Sequence, residues 1–169
     1  MLNSIFGLAN RALGATPVSA HCDIPCGIYD PHAAQIAALT VIRMNQLIAG
    51  LAAPAAGDKA AADAYGNTLS RYIATKEAHA EQVKKEVEII MGDYFRPEHA
   101  EKYPDLMSNA WGILKLASAN KQKIDAAAAD QLLAEVQKFA TTFWDSKGVA
   151  TKKQPSNQTV GGELVVPAN

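Results

Sequence analysis

Only two cysteines occur in the 169 residues, Cys22 and Cys26, both in the stretch H-C-D-I-P-C-G-I-Y-D. A chain of this length buries a core of one domain without disulfides, so the thiols are not needed for folding. No second cysteine pair follows, and a structural zinc site normally needs four ligands. No run of about 18 uncharged apolar residues occurs, which excludes a spanning helix. Neither sign of charge is in excess, with 16 Lys and Arg against 17 Asp and Glu, so a bias toward nucleic acid or an anionic membrane is absent. Missing too are the Glu-x-x-His pairs through which helical bundles hold metals with carboxylates. His79 has Lys76 three residues before it, and it reads as a surface or interhelical hydrogen-bonding residue rather than a ligand.

What the chain has is helical periodicity. Asp30-Pro31 predicts a helix start, and Ala37, Val41, Met44, Ile48 and Leu51 then lie along one face to about Gly50. Pro54 and Gly57 break the pattern, and Asp58 caps a second, long helix. Its stripe is Leu69, Ile73, Ala80, Val83, Val87 and Ile90, with Lys76 the only polar member of the row and Gly92 its expected end. Residues 93–104 are dense in aromatics and read as an ordered connection, after which Pro104 is expected to open a third helix carrying Leu106, Ala110, Ile113, Leu114 and Ala117. A fourth helix starts at Asp125 and turns Leu132, Leu133, Val136, Phe139, Ala140 and Phe143 inward to about Trp144. From Gly148 onward no helical period remains, so residues 148–169 are expected to be a loosely ordered extension or an arm packed on a neighbour. The expected fold is all-α, an antiparallel four-helix bundle.

The chemistry gathers before the first helix. Cysteines spaced C-x-x-x-C suit a local disulfide, a thiol redox pair, part of a zinc site, or ligands of another metal. Thioredoxin-type chemistry would want C-x-x-C at a helix start in an α/β fold, and neither matches. The stretch also follows V-S-A, a small-residue pattern like a protease cleavage site, although Asn10, Arg11 and Gly14 interrupt the apolar run of a secretory signal. Cleavage there makes His21 the first residue and frees its α-amine. That amine, the amide nitrogen and thiolate of Cys22, the Cys26 thiolate and the His21 imidazole then form one chelating unit. Two nitrogens and two sulfurs in a plane suit nickel(II) or copper(II), whereas zinc prefers a tetrahedron. Pro25 and Gly27 help the backbone double back.

The run H-C-D-I-P-C-G-I-Y-D-P closely resembles the N-terminal hook of nickel-containing superoxide dismutases. Two further matches are D-Y-F-R-P-E-H-A-E-K-Y-P-D-L at 93–106 and F-W-D-S-K at 143–147. The resemblance implies a leader at 1–20 removed by a processing protease, and a bundle at 21–147 whose hook is 21–30. It implies one nickel ion per subunit, cycling between +2 and +3 while superoxide is converted to O₂ and H₂O₂. His21 would supply the α-amine and an axial imidazole, Cys22 an amide nitrogen and a thiolate, and Cys26 the other thiolate. Tyr29 and Tyr94 match the tyrosines near the open face of the metal, and Asp23 and Pro25 match positions that shape the hook. A homohexamer is implied as well, with superoxide as substrate and no nucleic-acid or membrane partner. The expected compartment is the cytoplasm, where thiols stay reduced. Two positions depart from the family: the glutamate behind the axial imidazole falls on Ala37, and the arginine that pairs with it falls on His79. A differently held His21 ring is therefore expected, through His79 or water. The alternatives are a non-enzymatic, nickel-sequestering bundle and an exported helical protein with a Cys22-Cys26 disulfide.

Overall fold

The computed structural model describes residues 27–168. Asp30 prepares the first helix, its Oδ1 accepting the His32 N–H at 2.8 Å. Pro31 is the capping residue, and α1 runs His32–Ala49. Ala37 and Val41 of the expected stripe are buried, but the inner face also takes in Ala34, Ala38 and Leu39, while Met44, Ile48 and Leu51 are only half-buried. Asp58 then caps α2, Lys59–Ile89, by accepting the Ala61 N–H at 2.9 Å.

The first half of α2 contributes no fully buried side chain; its buried residues are Lys76, Ala80, Val83 and Val87. At about 1.5 Å per residue the 31-residue helix is roughly 46 Å long against roughly 27 Å for the 18 residues of α1, so packing on α1 cannot cover all of it. Gly92 does not end this helix. The backbone widens into a π-turn, Ile90–Tyr94, closed by the Phe95 N–H donating to the Ile90 carbonyl at 3.1 Å. A bond spanning five residues needs no left-handed stop, so glycine there has no capping work to do.

The connection at 93–104 contains a short helix of its own, α3, Pro97–Lys102, started by its proline. Pro104 does not open the next helix. That helix, α4, spans Leu106–Gln122, with Asp105 as its cap. Asp125 caps α5, Ala126–Ser146, through an Ala128 N–H to Oδ1 bond of 3.0 Å. All six side chains expected to turn inward from α5 are buried.

Helix α1 packs on α2 and α5, and α4 packs on the same two, so the four long helices form a ring around Val41, Val83, Val87, Ile113, Leu132, Val136, Phe139 and Phe143. Buried polar groups tie this ring to the α4–α5 connection. Asn45 Nδ2 donates to the Asp125 carbonyl at 3.1 Å, Asn120 Nδ2 to the Ala128 carbonyl at 3.0 Å, and Lys76 Nζ to the Lys123 carbonyl. The Lys123 carbonyl lies just past the end of α4, where a carbonyl lacks a partner in its own helix, and Lys76 satisfies it; Asp125 and Ala128 sit at the start of α5, where the two asparagines add a second bond to carbonyls of its first turn.

The C-terminal extension corrects the all-α expectation. Thr151–Pro155 and Glu163–Pro167 are antiparallel strands β1 and β2, with Lys153 opposite Val165. The hairpin packs on α1 and α5 of its own chain and buries Leu164 and Val165. Buried Gln35 behaves like a further strand: its Nε2 donates to the Val165 carbonyl at 3.0 Å and its Oε1 accepts the Val165 N–H at 2.7 Å. Gln137 Nε2 donates to the Glu163 carbonyl at 2.7 Å. Gly162 is required where the hairpin meets α1, because its φ is +76° and a Cβ there would sit 3.0 Å from Leu39 Cδ2. Tail residues with no helical period thus pair with each other and with α1.

Candidate metal centre

The expected nickel ligands, His21, Cys22 and Cys26, lie outside the described residues, as do Asp23 and Pro25. Among the described residues no group of three or more His, Cys, Asp or Glu side chains is arranged to hold a metal ion. The chain enters the described region at Gly27, whose φ of +75° lies in the left-handed region that glycine adopts without a Cβ clash. Anionic thiolate and amide donors favour the higher oxidation state of nickel, so the donor set fits that metal.

Two residues on, Tyr29 is buried with its ring centroid 5.9 Å from that of Tyr94. The structure therefore brings together the two tyrosines that sequence places 65 positions apart. Tyr94 is the last residue of the π-turn, and the widened backbone sets it at the end of the helix ring. Its ring lies 4.8 Å from that of Phe143 and 5.1 Å from that of Phe95, and it stacks on His99 at 5.6 Å with planes 18° apart. The Tyr94 hydroxyl is 2.7 Å from Ser146 Oγ.

Three neighbours of Tyr94 were not foreseen from sequence as site residues. His99 Nδ1 accepts the Arg96 N–H at 3.0 Å, which caps α3 and orients the ring against Tyr94. Ser146 sits on the last turn of α5. Lys147 follows it and holds its ammonium 5.1 Å from the ring centroids of both Tyr94 and Phe143. Lys147 and Ser146 belong to the quoted F-W-D-S-K run, so the signal was present but carried no stated role. A cation over two aromatic faces is attracted by their quadrupoles and places a positive charge beside Tyr94.

The two positions that depart from the family lie elsewhere on the ring. Ala37 is fully buried on α1 and presents no polar atom beyond its backbone. His79 is half-buried on α2, and its Nδ1 lies 2.8 Å from the Thr75 carbonyl. The bond is within one helix, neither a bare surface contact nor an interhelical one. A carbonyl only accepts, so Nδ1 carries a proton in this contact, and a neutral ring in this tautomer has Nε2 as its acceptor.

The family model described as nickel-containing superoxide dismutase matches residues 16–147, a span that includes the H-C-D-I-P-C run and stops before the hairpin. A nickel superoxide dismutase of Streptomyces coelicolor is 36% identical over 130 residues, 77% of this chain and 90% of that protein. One from Streptomyces seoulensis is 35% identical over 130 residues with the same coverage. Among solved structures, native nickel superoxide dismutase is similar with a TM-score of 0.64 at 35% identity, over 75% of this chain and 99% of that one. A nickel-containing superoxide dismutase with nickel ligation corresponding to the oxidized state gives 0.63 at 32% identity, over 76% and 99%.

Proposed function

The chain belongs to the nickel-containing superoxide dismutase family and is a superoxide dismutase with a nickel cofactor, and from that premise we propose that its metal is held by a hook made of His21, Cys22 and Cys26. The hook stands at one end of an antiparallel four-helix bundle spanning 21–147. The observation that carries this reading is the conjunction of the H-C-D-I-P-C donor run with a left-handed Gly27 and the Tyr29–Tyr94 pair immediately after it.

Removal of residues 1–20 frees the His21 α-amine, so maturation by a processing protease couples to activation. Nickel, when bound, supplies the one-electron couple between +2 and +3 through which two superoxide anions and two protons become O₂ and H₂O₂. The protein's own groups then have distinct tasks. Lys147 attracts the anionic substrate toward the tyrosines, since a positive charge near an entrance raises the local anion concentration. The hydroxyls of Tyr29 and Tyr94 order water and limit access to the metal. The His21 imidazole is held without the usual carboxylate, because Ala37 offers none, and the acceptor Nε2 of His79 or a water takes that place. Apolar side chains left exposed at Ile28, Met107, Trp111 and Ile124 support a partnered surface and hence the homohexamer that the family resemblance implies. Reduced thiols at the hook favour the cytoplasm.

The test is co-expression of the full chain with a matching leader protease and nickel, followed by measurement of nickel per subunit and superoxide loss. The expected result is one nickel per subunit with dismutation appearing only after cleavage. Dismutation by a chain that keeps residues 1–20 would overturn the α-amine role.

A further inference from the structure

We infer that Ser146 is a positioning residue that fixes the hydrogen-bond polarity of Tyr94, an inference that rests on the reading of Tyr94 as a site residue. Ser146 ends α5, where the last carbonyls lack the N–H groups of a following turn. In a continued helix the Lys147 N–H would go to the Phe143 carbonyl, but here it turns to Trp144 and Asp145 instead. The Ser146 hydroxyl serves that carbonyl, donating from Oγ to Phe143 O at 2.6 Å.

A serine hydroxyl has one proton, and a carbonyl oxygen has none to give. With the Ser146 proton committed to Phe143, the 2.7 Å contact between Ser146 Oγ and Tyr94 Oη is made by the tyrosine donating. The order is therefore Tyr94 O–H to Ser146 O–H to the Phe143 carbonyl, each bond polarising the next. The Tyr94 proton is used inside the protein, and its oxygen presents only lone pairs elsewhere. Toward the hook Tyr94 accepts: it can hold a water or a protonated product by its hydrogen, and it does not donate to an anion. The rings of Phe143 and His99 and the Lys147 ammonium hold the phenol in place, so the hydroxyl has little freedom to turn from Ser146.

The prediction is tested with Ser146→Ala, Ser146→Thr, Tyr94→Phe and the Ser146→Ala/Tyr94→Phe double variant, each in the full processed and nickel-loaded chain. Infrared difference spectra against Tyr94→Phe isolate the Tyr94 C–O stretch, and they can be taken on nickel-free protein as well. Ser146→Ala is expected to move that band away from the position of a donating phenol, while Ser146→Thr leaves it. Loss of one such bond should change kcat/KM for superoxide by about three- to tenfold, Ser146→Thr should restore it, and Ser146→Ala should add nothing in the Tyr94→Phe background. An unmoved band in Ser146→Ala, or an equal loss of rate with and without the Tyr94 hydroxyl, overturns the inference. Full activity in Tyr94→Phe overturns instead the reading of Tyr94 on which it rests.

Discussion

At the residue scale, the proposed hook rests on a few donor atoms, and their removal gives the sharpest tests. Cys22→Ser and Cys26→Ser are each expected to bring nickel well below one per subunit and to abolish dismutation while leaving helical circular dichroism unchanged, because neither thiol is needed for the core. An alanine inserted between Ala20 and His21, and left on the processed chain, is expected to cost activity without loss of helix, since it moves the free amine away from the imidazole and the thiolates. Lys76 poses a different question. It was read from sequence as the one polar member of an apolar row, and it is 1% exposed. Burial holds its pKa below the ordinary lysine value of 10.5, with the Glu77 carboxylate opposing. The folded chain thus releases the Lys76 proton more readily than the unfolded chain. Between the lowered value and 10.5 the unfolded chain binds more protons, so this group makes stability rise with pH through that window. Urea unfolding followed as the pH is raised toward 10.5 should show a smaller rise in stability in Lys76→Met than in the native sequence.

At the element scale, the hairpin and the π-turn are the two pieces that differ from a plain helical reading. The hairpin is joined to α1 by the paired hydrogen bonds of Gln35, so Gln35→Leu, which keeps much of the side-chain volume, leaves the Val165 N–H and carbonyl without partners in a buried place. The expected loss is about 1–3 kcal/mol, read as a lower urea midpoint, with the Val165 amide among the first to gain hydrogen exchange. The π-turn sets Tyr94 against Tyr29, Phe143 and Ser146 and so bears on the site. The F-W-D-S-K run is legible in the sequence as a match, yet its consequence for Tyr94 depends on how the last turn of α5 closes.

At the scale of the whole molecule, the family match ends at residue 147 and the hairpin lies beyond it. The hairpin covers α1 and α5, faces that pack against each other inside the ring and continue outward. Sedimentation of the processed, nickel-loaded protein is expected to give a mass about six times that of one subunit, following the family resemblance. Deleting residues 148–169 should expose Leu39 and Leu133 and lower the urea midpoint. If it leaves the sedimenting mass unchanged, the hairpin serves the subunit alone; a smaller mass assigns it to assembly.

The sequence by itself determined the four long helices, their caps at Asp58 and Asp125 and the inward face of α5, because periodicity and capping chemistry are local properties of neighbouring residues; the proposed donor run H-C-D-I-P-C is read from sequence in the same local way. It pointed to the family as well, through the runs H-C-D-I-P-C-G-I-Y-D-P, D-Y-F-R-P-E-H-A-E-K-Y-P-D-L and F-W-D-S-K, and the family model and relatives bear that out. Only the tertiary structure decided that Gly92 lies inside a π-turn, that the tail forms a hairpin on Gln35, that His79 turns back to Thr75, and that the Tyr94 hydroxyl meets Ser146. The hairpin on Gln35 and the Tyr94–Ser146 contact are settled by packing between residues far apart in the chain, while the π-turn and the His79–Thr75 bond are local choices among backbone partners that hydrophobic periodicity does not encode.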